Sequence, residues 1–235
     1  MKGLPRGRSK TRRLLPLLGQ STIHSFRMKP YVRHERSRMF ESDFFEMFSK
    51  VHPATPFLLY IPPTLVLLVW ALMKGITSPL SALVFLPLGW VTWQLMEYFI
   101  HKHIFHWEGN GPFTRWLHQI LHGYHHQYPD DAQRLVMPIG ASLPMAALIG
   151  AVLWLLQAPG QTIPYFVGLV SGYLFYDFMH WSTHYRKPLT AWGKLIRSHH
   201  MSHHFADTES NYGISHRWID IVMGTLKSRD GQAQK

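Results

Sequence analysis

Residues 135–176 read LVMPIGASLPMAALIGAVLWLLQAPGQTIPYFVGLVSGYLFY, 42 residues without a charge, broken at Ala158-Pro159-Gly160. A bilayer core of about 30 Å needs roughly 20 apolar residues per helical crossing, and the Ala-Pro-Gly step is a turn signal. The stretch therefore predicts a helical hairpin of two spans. Upstream, 56–73 and 75–96 are two further uncharged runs joined through Lys74. Pro62 and Pro63 kink the first, which membrane helices tolerate. Four crossings result, with Trp70, Trp90, Trp93 and Trp154 near their ends in the manner of interfacial belts. Phe40, Phe44, Met47 and Val51 recur at helical spacing just ahead of the first span and predict an amphipathic helix lying in the interface.

The flanking charge sets the topology. Segments 1–55, 101–136 and 179–235 carry 12, 3 and 8 Lys plus Arg, against the single Lys74 in the hairpin turns. By the positive-inside rule both termini and the central loop are cytoplasmic. The net charge of +11 is thus topological, and a nucleic-acid partner is excluded because a basic binder would not segregate its charge around spans. The expected organisation is a basic cytoplasmic segment over 1–39, a membrane domain over 40–225 and a tail over 226–235. Its fold class is all-α and integral to the membrane, with four transmembrane helices beneath a cytoplasmic helical cap.

The chain has 17 histidines, 13 acidic residues and no cysteine. Fourteen of the histidines, from His101 onward, lie at or beyond the cytoplasmic ends of the predicted spans, at one membrane depth. His122, His125 and His126 fall within one arc of a helix, as do His200, His203 and His204, and His180 and His184 are i, i+4 neighbours. His101 and His106 are five apart, so both face inward only if the helix ends or bends between them. At this histidine frequency about 0.09 copies of H-x-x-H-H are expected by chance, and there are two. Neutral imidazoles suit iron, zinc, copper or nickel; without cysteine, thiolate zinc is excluded. Ten imidazoles exceed one coordination sphere, which predicts a di-metal histidine site. Glu97, four before His101, and Asp177, three before His180, are placed by helical spacing to fix imidazole tautomers.

The strings EYFIHKHIFH (97–106), LHGYHHQYPDDAQRLVMP (121–138), YDFMHWSTHY (176–185) and HHMSHHFADTESNYGISHRWIDIVMGT (199–225) resemble the fatty acid hydroxylase superfamily of membrane non-haem di-iron enzymes. The resemblance is nearest to the branch that 2-hydroxylates the fatty acyl chains of sphingolipids. Its histidine pattern falls on His101, His106, His122, His125, His126, His180, His184, His200, His203 and His204. What the resemblance implies is a monooxygenase using two iron ions and O2 on a free fatty acid or a ceramide-like lipid, with zinc able to replace iron in purified samples. Eukaryotic relatives often carry a cytochrome b5 domain that has no counterpart motif here, so the electron donor is expected to be a separate cytochrome b5 or ferredoxin-type protein. A sterol or carotenoid hydroxylase, a desaturase of the same superfamily, or a non-catalytic membrane metal protein is the alternative. An integral membrane location follows; the choice between endoplasmic reticulum and bacterial inner membrane does not.

Overall fold

The computed structural model describes residues 38–227, so most of the basic head and of the tail lie outside the described residues. Within them there are helices and no strands. A short helix α1 (Asp43–Ser49) leads into α2 (Thr55–Met73) and α3 (Pro79–Ile100). A central segment follows with α4 (Pro112–His118) and α5 (Tyr124–Gln127). The hairpin α6 (Ile139–Leu156) and α7 (Pro159–Tyr185) comes next, and α8 (Ala191–Phe205) and α9 (Trp218–Met223) complete the order. The turn between α6 and α7 falls at the Ala158-Pro159-Gly160 step, with Pro159 opening α7, where a missing N–H is harmless.

Three stretches are long and apolar enough to cross a membrane: Thr55–Met73, Pro79–Phe105 and Ala132–Leu156. Only 17%, 17% and 6% of their most apolar windows are buried within the protein. Their large side chains thus face outward, the arrangement that hydrocarbon solvates and water does not. The expected fourth crossing, α7, differs in character. It is 27 residues long but packs centrally against α3 and α2, with Gly168, Gly172, Tyr173, Tyr176 and His180 buried.

Close approach explains that centrality. Gly168 and Gly172 form a G-x-x-x-G step on α7, and Gly89 faces it from α3. A Cβ on Gly168 would collide with the Leu86 carbonyl oxygen, and one on Gly172 with Trp93. With no hydrophobic drive between helices in lipid, such backbone contact and van der Waals packing hold the pair together. Trp93, Tyr173, Tyr176 and Tyr60 fill the space beside it, with Tyr60 and Tyr173 edge to face at 5.7 Å.

Helix α1 is tied down by a buried carboxylate. On α1, Phe44, Phe45, Met47 and Phe48 are 58–63% exposed, whereas Glu46 and Ser49 point inward. Glu46 accepts the amide N–H groups of Met39 (2.9 Å) and Phe40 (3.1 Å) and pairs with the buried guanidinium of Arg134, which also pairs with Asp131. Burial alone would raise the Glu46 carboxyl. The hydrogen bonds from Phe40, Met39 and Lys50 and the Arg134 charge outweigh it and hold its pKa at about 2, against an ordinary 4.5.

Two outcomes are expected. Gly168→Leu should force α3 and α7 apart, seen as loss of monodisperse protein on size exclusion in detergent, while Leu83→Ala on the outward face of α3 should not. Because Glu46 is depressed, its stabilising contribution is present above pH 4.5 and lost as the pH falls toward 2, a displacement worth about 3 kcal/mol. Amide exchange across residues 43–49 should accelerate on acidification through that window. In Glu46→Gln it should already be fast at pH 7.

Candidate metal centre

Backbone irregularities bring the histidines into line. On an ideal helix, residues five apart point about 140° away from one another. Here α3 passes into a wide π turn over His101–Phe105, in which the His106 N–H bonds back to the His101 carbonyl at 3.2 Å. That i+5 closure places both rings on one face, with Nε2 atoms 3.3 Å apart. His118 donates from Nδ1 to the Phe105 carbonyl at 2.7 Å and fastens the end of the turn. A second wide turn, Gln119–Gly123, precedes α5 and delivers His122, His125 and His126. The helix α8 is regular, so His200 and His204 share a face and His203 sits beside them.

All ten expected histidines meet in two groups of five. One holds His101, His106, His122, His126 and His203; the other holds His125, His180, His184, His200 and His204. Within each group the donor nitrogens lie within 4.8 Å of one another. In the first, the Nε2 atoms close a ring: 101 to 122 at 2.9 Å, 122 to 126 at 2.9 Å, 126 to 203 at 3.2 Å, 203 to 106 at 3.0 Å, and 106 back to 101. In the second they form a chain, 180 to 125 at 2.9 Å, 125 to 204 at 3.0 Å, 204 to 200 at 3.2 Å and 200 to 184 at 2.9 Å. Each H-x-x-H-H motif is therefore split. His122 and His126 serve one group while His125 crosses to the other, and His200 and His204 serve the second while His203 crosses to the first.

Three backbone carbonyls set the tautomers. His101 donates from Nδ1 to Tyr212 at 2.6 Å, His180 to Leu135 at 2.7 Å and His203 to Ser210 at 2.7 Å. Each Nε2 then presents a lone pair to its neighbours' lone pairs. Burial, reinforced by adjacent imidazoles, keeps His122, His125, His126, His200 and His204 well below the ordinary 6.5. His203 is held at about 3. Neutral acceptors pointed at one another repel unless a cation lies between them. Metal–imidazole bonds of about 2.0–2.1 Å put two nitrogens on one ion roughly 2.9–3.4 Å apart, the spacing found in both groups. The residues fit a metal ion in each.

The carboxylates take other posts than those expected. Glu97 does not touch His101; it accepts the hydroxyl of Ser215 at 2.7 Å and the Ser215 amide at 3.0 Å. Through that contact it anchors the loop whose Tyr212 carbonyl orients His101. Asp177 does not meet His180, whose Nδ1 is taken by Leu135; it stands near the Tyr173 hydroxyl and lines the adjoining pocket. The residue that spacing did not single out is Asp220. It accepts the amides of Tyr212 (2.9 Å) and Gly213 (2.8 Å), the Thr225 hydroxyl (2.7 Å) and Nε2–H of His199 (3.0 Å). Burial would raise its carboxyl, but these bonds, led by that from His199, hold it below the usual range. Its only signal in the sequence is a lone acid in the stretch 210–227. Of the off-pattern histidines, His199 binds Asp220, His118 fastens the turn and His103 is exposed against Phe99.

A pocket of about 150 Å³ adjoins the groups, lined by His122, His125 and His180 on one side and by Tyr176, Asp177 and Met137 among others. Outward-facing apolar helices that end in two largely buried five-imidazole groups define a membrane-type protein whose one end could hold metal. Residues 86–225, more than half the chain, match the family model described as fatty acid hydroxylase, and the chain belongs to that family. It is 33% identical over 217 residues to the dihydroceramide fatty acyl 2-hydroxylase FAH2 of Arabidopsis thaliana, covering 92% of this chain and 89% of that one. Against the human fatty acid 2-hydroxylase it is 35% identical over 147 residues, 59% of this chain and 38% of the relative. The solved structure of full-length scs7p, in which only the hydroxylase domain is visible, superposes with a TM-score of 0.75 at 26% identity over 82% of this chain and 73% of that one.

Asp220→Ala should release the Tyr212 and Ser210 carbonyls from their posts and weaken metal binding by roughly 10- to 100-fold, the usual effect of removing groups that orient ligands. Metal retained per chain after dialysis against a graded chelator measures it. Substitution of the exposed His103 by Ala should leave retention unchanged.

Proposed function

We propose that this protein 2-hydroxylates fatty acyl chains, free or in ceramide-like amide linkage, at a di-iron site formed by the ten histidines. The observation that carries the reading is the pair of five-nitrogen groups opening onto an apolar pocket at one end of lipid-facing helices. The names of the relatives, which specify fatty acyl 2-hydroxylation, favour the same chemistry.

His101, His106, His122, His126 and His203 would hold one ion, and His125, His180, His184, His200 and His204 the other. Iron bound there would supply the electrons that reduce O2, with a separate reductant restoring them. The protein's own contribution is placement and dryness. The carbonyls of Tyr212, Leu135 and Ser210 keep three Nδ1 protons in place, so the imidazoles stay neutral donors rather than competing for a proton. His122, His125 and His180 form the end wall of the pocket, and Leu135, Val136 and Met137 exclude water beside them. An acyl chain seated there with its polar end toward the α1–Arg134 side presents its first carbons to the histidines. Regiochemistry becomes a matter of depth. The same reading takes α7 as a fourth crossing and the histidine-bearing ends as a cap on the cytoplasmic side.

Expression in a host without this activity, followed by lipid mass spectrometry, should reveal 2-hydroxy acyl chains under O2. His125→Ala and His200→Ala should lose both metal and product. New double bonds, or hydroxyl groups far down the chain, would overturn the assignment.

A further inference from the structure

The pocket beside the histidines is too short for a long acyl chain, and its continuation is marked in the bundle. Three cavities follow one another along the groove between α6 and α7. The first, about 150 Å³, reaches Ala141 on α6 and Tyr176 on α7. The second, about 30 Å³, runs from Ser142 to Ile149 on α6 and from Tyr173 back to Phe166 on α7. The third, about 510 Å³, runs from Gly150 to Trp154 and from Phe166 back to Pro159, shares Phe166 with the second, and opens to the outside. The order is the same on both antiparallel helices, and α2 closes the second and third with Tyr60, Leu67 and Trp70. The series is wide, narrow, then wide.

The narrow point coincides with a polar contact in an apolar wall. Tyr60 on α2 donates its hydroxyl to Ser142 on α6 at 2.9 Å, 82 residues away in sequence, and the Tyr173 hydroxyl stands close to Ser142 and to Asp177 above it. At 1.5 Å per residue, α7 descends about 10 Å from His180 to Tyr173 and about 21 Å to Phe166. One leaflet of hydrocarbon is about 15 Å deep. A chain confined above Tyr173 is shorter than a leaflet, and a longer one must either pass the constriction or turn out sideways into the bilayer. The apolar cavities in line below favour the first course, since buried apolar surface there replaces contact with lipid at no loss and keeps the first carbons aligned with the histidines.

We propose that the acyl tail threads from the histidine-lined pocket past the Tyr60–Ser142 contact into the cavities between α2, α6 and α7, and that this contact sets the chain length accepted. The proposal rests on the acyl-hydroxylase reading of the site. Opening would begin with rotation of Tyr60 and Ser142, and the unbranched Met145, which lines the same cavity of about 30 Å³, is the side chain best suited to move aside.

The test uses the full-length protein in vesicles of phosphatidylcholine, loaded with iron and supplied with reductant, and an equimolar mixture of short and long acyl substrates. Ala146→Trp, which fills the second cavity, should lower the ratio of long to short 2-hydroxylated product by about 10-fold, an effect of the size that pocket blocking produces. Ser142→Ala should raise that ratio, and Leu83→Trp on the outward face of α3 should not change it. Independently, an acyl probe carrying a photoreactive diazirine at its methyl end should label Ala146, Ile149 or Phe166 in the unmutated protein. Labelling confined to outward-facing residues, or long-to-short ratios unaltered by both Ala146→Trp and Ser142→Ala, would overturn the route. Labelling needs no turnover and therefore decides the route even if Ala146→Trp fails to fold. Labelled inner residues with no 2-hydroxylated product would count against the functional reading and leave the route standing.

Discussion

Ten imidazole nitrogens aimed at one another are an unfavourable arrangement, and the rest of the structure can be understood as what enforces it. For His101, His180 and His203 the inward lone pair is fixed because the carbonyls of Tyr212, Leu135 and Ser210 take the Nδ1 protons. Those carbonyls lie in loops, which are ordinarily the mobile parts of a protein. The loop that carries Tyr212 and Ser210 is immobilised here by Asp220 and by Glu97 through Ser215, both buried and both acting on backbone amides. The helices in turn bring the loops to one level, through the glycine contact that lets α3 and α7 approach closely. Metal binding, loop order and helix packing are thereby links of one chain of constraints.

The crossing of the two H-x-x-H-H motifs makes the groups interdependent. Each receives a pair from the C-terminal end of α3 or of α7, an i, i+4 pair from one motif and a single histidine from the other motif. Neither α5 nor α8 belongs to one group alone, so displacement of either disturbs both. The neutral state of these imidazoles follows from the same burial that limits water in the adjoining pocket, which ties their capacity as ligands to its dryness.

Much of this was legible in the residues. The uncharged run at 135–176 and its Ala-Pro-Gly break foretold two helices joined at that step, of which α6 falls within a stretch apolar enough to cross a membrane; that α7 packs centrally was not legible from composition. Histidine spacing foretold convergence, because i, i+3 and i, i+4 relations survive in any regular helix. The relation of His101 to His106 was legible only as a conflict: five residues do not share a face on an α-helix, and the wide turn that resolves it depends on packing by His118 and Phe105. The partners of Glu97 and Asp177 were not legible, since helical spacing names what lies above a residue on its own helix and says nothing of Ser215, 118 positions away. Asp220 stayed hidden for the same reason, its task lying with loop amides. The step Gly168-x-x-x-Gly172 was not singled out in the sequence, and the packing it dictates explains why α7 runs through the middle of the bundle and not along its edge.

The wide turn at His101–Phe105 has a consequence for how this chain can vary over generations. The exposed His103 and Ile104 inside the turn are free to change as long as Phe105, which stacks on His122, and the two rings at its ends survive, but its residue count is not. Loss or gain of a single codon there would rotate everything downstream by about 100° and swing one imidazole out of its group. Lineages descending from this sequence should drift in letters across that stretch while keeping its length.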